Sequence, residues 1–301
     1  MESAANPPLR YAVIAPVAAG TTARPGWISE FARHVEDCGF ESIVAVEHTV
    51  VMSRYASVYP YDASGRMELA DDCPVPDPLE LLAFFAGQTS RLGLATGVLV
   101  LPNHHPVVLA KRLATLDALS GGRLRVCVGM GWMREEVEAC GTDFDTRGRR
   151  ADEQLQVLRA LWAGTGADGV DHAGEFFAFS GAMSWPKPAQ AGGVPLHVGG
   201  HSRAAARRAG RYGDGLQPLG VAGEELAGLV GLMRAEAERA GRDPDRLELS
   251  LGHLVAKIDL DRAARLAAQG ATRIVLAMSP TSDLERAKDE LSACAERLAL
   301  R

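Results

Sequence analysis

Glu47 and His48 stand side by side at the end of a short apolar run beginning at Ser42. An imidazole titrates near neutral pH and can give or take a proton, and a neighbouring carboxylate can orient it or tune its charge. Adjacent side chains on an extended strand point to opposite faces, so the two share one site only if the strand ends or bends between them. His104 and His105 form a second pair. No HExxH pattern, carboxylate or thiolate accompanies them at ligand spacing, so no metal is expected there and the pair reads as a plain loop open to a substrate contact. Glycine supplies the other signals. Gly97–Val98 closes one apolar run, and Gly129-Met130-Gly131-Trp132 closes the next, where glycines let backbone approach a flat ligand and Trp132 offers a stacking surface. Val198-Gly199-Gly200-His201-Ser202 leads from a run straight into a helical pattern, which points amides and the positive helix end at an anion, with Ser202 adding a hydroxyl. Arg203, Arg207 and Arg211 follow at helical spacing, either as a solvated face or as a row meeting the acidic tail of a ligand.

These residues need a scaffold that brings strand ends together. Eight short apolar runs occur in order: Tyr11–Pro16, Ser42–Glu47, Leu92–Val98, Leu124–Gly129, Pro195–Val198, Gly215–Gln217, Leu247–Leu251 and Arg273–Ala277. Such runs suit strands buried on both faces. Helical stripes separate them, among them Trp27, Phe31, Val35 and Cys38 before Gly39; Leu155, Leu158 and Trp162 after Arg147; and Leu284, Leu291, Cys294 and Leu298. Asp77-Pro78-Leu79-Glu80 combines an N-cap, a proline at the first helical position and a capping-box Glu. Strand alternating with helix eight times predicts an α/β fold, a (β/α)8 TIM barrel, over an open doubly wound sheet. Thr49–Pro76, after strand 2, and Ala163–Gly193, between helix 4 and strand 5, are too long for simple loops. The first follows a strand directly and so lies on the catalytic face. Its Met52, Tyr55, Tyr59, Tyr61 and Met67 can wall a pocket or pack as a surface excursion.

The chain of 301 residues, 47% hydrophobic and 23% charged, accommodates a barrel of about 250 residues plus insertions as a single domain over 1–301. A net charge of −6 gives no positive field, so neither nucleic acid nor an anionic membrane is an expected partner. Cys38, Cys73, Cys127, Cys140 and Cys294 are odd in number and scattered, which reads as reduced thiols in a cytoplasm. Neither a secretory leader nor an apolar stretch of roughly 18 residues is legible. No Schiff-base lysine stands at a strand end, Lys257 being the nearest candidate.

The stretch Arg91–Trp132 resembles the bacterial-luciferase-like family of flavin and deazaflavin oxidoreductases. The likeness rests on the strand with a Gly step, the proline-bearing loop, Ala114-Thr115-Leu116-Asp117, the turn Ser120-Gly121-Gly122-Arg123 and the Gly-x-Gly-Trp strand end, and it extends to the helix following Ser202. The resemblance implies that His48 approaches a redox ring and that Gly97–Val98 is a non-prolyl cis step pressed against it. It implies that Gly129, Gly131 and Trp132 line the ring and that Gly199, Gly200 and Ser202 hold a phosphate. Glu47-His48, the strand end at Trp132 and the Gly-Gly-x-Ser step look more like the branch using coenzyme F420 than the branch using FMN. Hydride transfer between F420 and a small organic substrate is therefore expected. The alternatives are an FMN-dependent monooxygenase supplied by a partner reductase, and a flavin-binding protein without turnover. Some F420-dependent sugar-phosphate dehydrogenases of the family carry Glu where Trp132 stands, so that mechanism is not implied. Relatives commonly pair through barrel helices, which makes a homodimer the expectation.

Overall fold

The computed structural model describes residues 8–300. The chain opens with β1 (Arg10–Ile14), α1 (Pro25–Asp37), β2 (Ser42–Ala45) and α2 (Pro78–Gln88), followed by β3 (Gly93–Thr96), β4 (Leu99–Val100) and α3 (Pro106–Leu119). Next come β5 (Leu124–Gly129), α4 (Arg134–Ala139), α5 (Arg147–Ala163) and the strands β6 (Val170–Ala173) and β7 (Ala178–Ala182). The final stretch comprises β8 (Leu196–Gly199), α6 (Arg203–Tyr212), β9 (Gly215–Gln217), α7 (Gly223–Arg239), β10 (Glu248–Leu254), α8 (Leu260–Ala268), β11 (Arg273–Ala277) and α9 (Leu284–Arg297).

Parallel pairing runs from β1 through β2, β3, β5, β8, β9 and β10 to β11, which pairs back onto β1 and closes the ring. β4 also pairs with β5, so β3 and β4 are two halves of one interrupted stave. The result is the expected eight-stave (β/α)8 barrel. Its staves differ from the apolar runs mainly at their ends. The first stops at Ile14, short of Pro16, whose ring has no N–H to give the ladder. The second stops at Ala45, before Glu47, and the third breaks at Gly97 and Val98 instead of running through.

Local chemistry accounts for the helices that frame the site. Asp77 accepts from the amides of Leu79 and Glu80 at the start of α2, with Pro78 behind it. The Glu80 carboxylate turns to Arg112 on α3, so the capping box expected there is half made. On α1, Ile28, Phe31 and Val35 are buried against the sheet, each contributing about 1.5–3 kcal/mol of apolar burial. Gly39 ends that turn at φ 81°, and a Cβ there would lie 2.6 Å from the Leu300 carbonyl oxygen, so no other residue fits.

Inside the barrel the residues are small, with Ala12, Val44, Ala95 and Val275 forming their own apolar layer. Below them lies a charged floor in which Arg273, 2% exposed, bridges Glu41 at 3.0 Å and Glu248 at 2.7 Å. Burial and the neighbouring Arg273 pull the Arg125 guanidinium down to about 10, and burial holds His197 well below its ordinary value. Of the two insertions, residues 49–76 form neither helix nor strand, whereas β6 and β7 pair as an antiparallel hairpin beside α5. Among the described residues no helix is long and apolar enough to cross a membrane.

Candidate active site

Because β2 ends at Ala45, the backbone turns before Glu47 and His48, and the neighbours part company. Glu47, 6% exposed, accepts from the Val100 amide and sits 2.7 Å from His104 Nε2. It replaces the ladder rung that β2 no longer makes and ties it to the loop after β4. His48 turns instead to α4, where Glu136 Oε2 lies 2.9 Å from its Nδ1 and Glu136 Oε1 accepts from the Thr49 amide at 2.7 Å. A carboxylate only accepts, so Nδ1 carries the proton and Nε2 is left without a hydrogen-bond partner among the described residues. The Glu47–His48 couple suggested by adjacency is thus replaced by two crossed carboxylate–imidazole pairs, and His104, which read as a plain loop residue, is one half of the second.

Gly97–Val98 is a cis peptide bond, as the resemblance implied. Thr96 bridges the interruption by donating its hydroxyl to the Cys127 carbonyl at 2.8 Å while accepting from the Cys127 amide at 3.0 Å. Three of the expected cofactor-binding glycines, Gly97 and Gly129 of the ring set and Gly199 of the phosphate set, are required by contacts within the protein. A Cβ on Gly129 would lie 2.5 Å from Val98 Cγ2, one on Gly199 2.6 Å from Val98 Cγ1, and one on Gly97 2.5 Å from Val44 Cγ1. Val98 therefore wedges between the ends of β5 and β8. The Gln217 amide nitrogen approaches the same corner, 3.6 Å from that Gly97 position. Gly131, at φ 76°, turns the chain toward Trp132.

Trp132 joins the site to the first insertion. Its ring meets His48 edge-on at 6.4 Å, Tyr55 at 5.5 Å and Tyr59 at 5.1 Å, and contacts continue from Tyr59 to Tyr61 and from Tyr61 to His201. Glu135 clasps the insertion to α4 by accepting from the Ala56 amide at 2.6 Å and the Ser57 hydroxyl at 2.7 Å. The Ser57 hydroxyl bond, with help from the Ala56 and Ser57 amides, pulls the Glu135 carboxyl down to about 2.

At the β8–α6 step, Ser202 is the N-cap and its hydroxyl accepts from the Ala205 amide at 3.1 Å. Gly200 adopts φ 113° and donates its amide to the Gln217 carbonyl at 3.1 Å. Among the described residues the amides from His201 to Ala204, between the Gly200 bond and the Ser202 cap, are the ones open to an anion. His201 Nδ1 is buried beside them without a partner.

The sequence profile of the luciferase-like monooxygenases matches residues 11–298. This chain belongs to that family. The luciferase-like chain is 33% identical over 277 residues to an uncharacterised Mycobacterium tuberculosis protein, covering 89% of this chain and 91% of that one. It is 32% identical over 233 residues to the F420-dependent glucose-6-phosphate dehydrogenase of Mycolicibacterium gilvum, covering 72% of this chain and 67% of that enzyme. Its fold matches an F420-dependent secondary alcohol dehydrogenase solved with an F420-acetone adduct at TM-score 0.75, 19% identity and 97% and 98% coverage. It also matches a monooxygenase from Streptomyces bottropensis at TM-score 0.72, 22% identity and 97% and 99% coverage.

Sequence reasoning on this luciferase-like chain missed Glu135, Glu136 and Gln217. The two glutamates open a helix directly after a strand-end glycine step, and that was their only local signal. Arg207 and Arg211 resolve as a paired face, both within 4 Å of Glu236 on α7.

Proposed function

We propose that this protein is an F420-dependent oxidoreductase that transfers hydride between the coenzyme and a small organic substrate. The His48–Glu136 pair carries the reading. An imidazole with one nitrogen fixed by a buried carboxylate and the other open, at the end of a barrel strand, can give or accept a proton as the substrate oxygen gains or loses hydrogen. Likeness to a relative named as an F420-dependent dehydrogenase over 72% of the chain supports the cofactor class. F420, when bound, supplies the hydride chemistry.

The residues present fit that group. Those open amides, the Ser202 cap and the unpartnered His201 Nδ1 suit its phosphate at the start of α6, and small residues line the barrel mouth at Gly97, Gly129 and Gly199 for its ring. Trp132 and the tyrosines of the first insertion wall the substrate side and keep water away. Aromatic rings there favour an uncharged substrate, and Trp132 stands where the resemblance places Glu in sugar-phosphate dehydrogenases. The second reading, an FMN-dependent monooxygenase with a partner reductase, is favoured by the family profile itself. A homodimer is supported by Phe84 on α2, Val108 and Leu119 on α3, and the nearby Met183 and Trp185, all exposed.

Fluorescence quenching titrations with F420 and with FMN separate the cofactors, and product formation is then followed with and without oxygen. Anaerobic turnover with reduced F420 at the aerobic rate is expected. Oxygen-dependent product with reduced FMN alone would establish the monooxygenase. Tight binding without turnover across alcohols, ketones and enones would leave a flavin-binding protein.

A further inference from the structure

The far end of α6 carries a cluster of arginines around a surface cavity. That helix runs from the proposed phosphate position at Ser202 to Tyr212, about 15 Å away at 1.5 Å per residue. At its C-terminal end a surface cavity of about 390 Å3 is lined by Leu155, Gln156, Arg159, Arg211, Tyr212 and Arg242.

Charge there is unbalanced. Asp214 is shared between Arg159 and Arg242, and Glu236, its side chain 5% exposed, is shared among Arg207, Arg211 and Arg239. Three guanidinium groups, Arg159, Arg211 and Arg242, line the cavity, and the two carboxylates that pair with them, Asp214 and Glu236, do not. Nearby Asp152 is already bound by Arg208. The acids account for only part of the donor capacity. Arg211 gives Nε to Glu236 and Arg159 gives its terminal nitrogens to Asp214 and Gly192, whereas each guanidinium has five N–H groups. Arg242 is the structural member, capping the α6 carbonyl of Gly210 at 2.7 Å. Arg159 and Arg211 are the ones with donors to offer.

We infer that this groove binds a small polyanion of the phosphate class, with Arg159 and Arg211 as its ligands and Tyr212 as its apolar wall. Planar guanidinium groups match phosphoryl oxygens in pairs, and the cavity is in the size range of small-molecule sites. The inference is independent of which cofactor the barrel holds.

The test is calorimetric titration of the full chain with inorganic pyrophosphate in physiological salt. Saturable binding is expected, weakened about tenfold or more by Arg211→Ala and by Arg159→Gln, and weakened less by Arg211→Lys, which retains the charge without the fork. Circular dichroism melting confirms that each variant folds; an unfolded Arg159→Gln leaves the decision to Arg211→Ala, whose partner Glu236 keeps Arg239. Arg262→Ala, an exposed arginine on α8 paired with Asp259, should leave binding unchanged. Absence of binding, equal binding in Arg211→Ala, or equal loss in Arg262→Ala would overturn the inference.

Discussion

Glu136, 88 residues along the chain from His48, holds its imidazole at 2.9 Å, while the adjacent Glu47 binds His104. Each carboxylate has a separate job. Glu136 fixes a tautomer at the end of β2, and Glu47 fastens the loop that follows β4.

The first prediction tests that fixed tautomer. His48→Asn should lower kcat by about a hundredfold with cofactor affinity nearly intact. Glu136→Gln should cost about tenfold, because His48 and the Thr49 amide reach different oxygens and Gln turns one of them into an NH2 donor, and 15N-resolved imidazole spectra should show the Nδ1–H tautomer giving way to a mixture. Wild-type turnover with unchanged ring signals in Glu136→Gln would show that it does not position His48.

Removing Glu47 should act on stability more than on chemistry. Glu47→Ala leaves the buried Val100 amide and the His104 ring without their acceptor, a loss of about 1–3 kcal/mol. Urea unfolding reads this as a lower midpoint at constant slope. A larger fall in kcat than His48→Asn produces would return Glu47 to the catalytic centre.

Val98 and Gly199 should be energetically coupled. The alanine methyl of Gly199→Ala would stand 2.6 Å from Val98 Cγ1, with Val128 O next at 3.4 Å, so overpacking should cost about 1–3 kcal/mol. Val98→Ala removes the obstructing methyl, and the double variant should recover much of the loss. Simple additivity in the cycle would mean that the wedge does not set the spacing of β5 and β8.

Acid should release the first insertion. The Glu135 carboxyl is held down at about 2, below its ordinary value, so its clasp on Ala56 and Ser57 is fully present above the ordinary carboxylate range and is lost as pH falls toward 2. Protection from hydrogen exchange across residues 49–76, taken relative to the intrinsic rate at each pH, should therefore fall between about pH 5 and pH 2, and Glu135→Ala should show low protection already at pH 7. High, pH-independent protection in that variant would assign the order of the insertion to Trp132 packing alone.

Much of the scaffold was legible because its causes are local. Apolar runs, helical stripes, the Asp77 cap and the stop at Gly39 depend on residues a few positions apart, so the barrel, its order of elements and the sites of both insertions follow from the linear chain. The cis step at Gly97–Val98 came from resemblance, and the structure has it there. Partnerships were another matter. Adjacency suggested Glu47 with His48, yet a strand that ends at Ala45 sends them to His104 and Glu136, 57 and 88 residues away from their respective partners. The glycine step looked like a cradle of open amides, but pairing of β8 with β9 gives the Gly200 amide to Gln217 and leaves the open amides to the residues after it. Periodicity encodes which face a residue shows. Only closure of the barrel decides which residue it meets, because the strand ends that compose the site are neighbours around the ring and strangers along the chain.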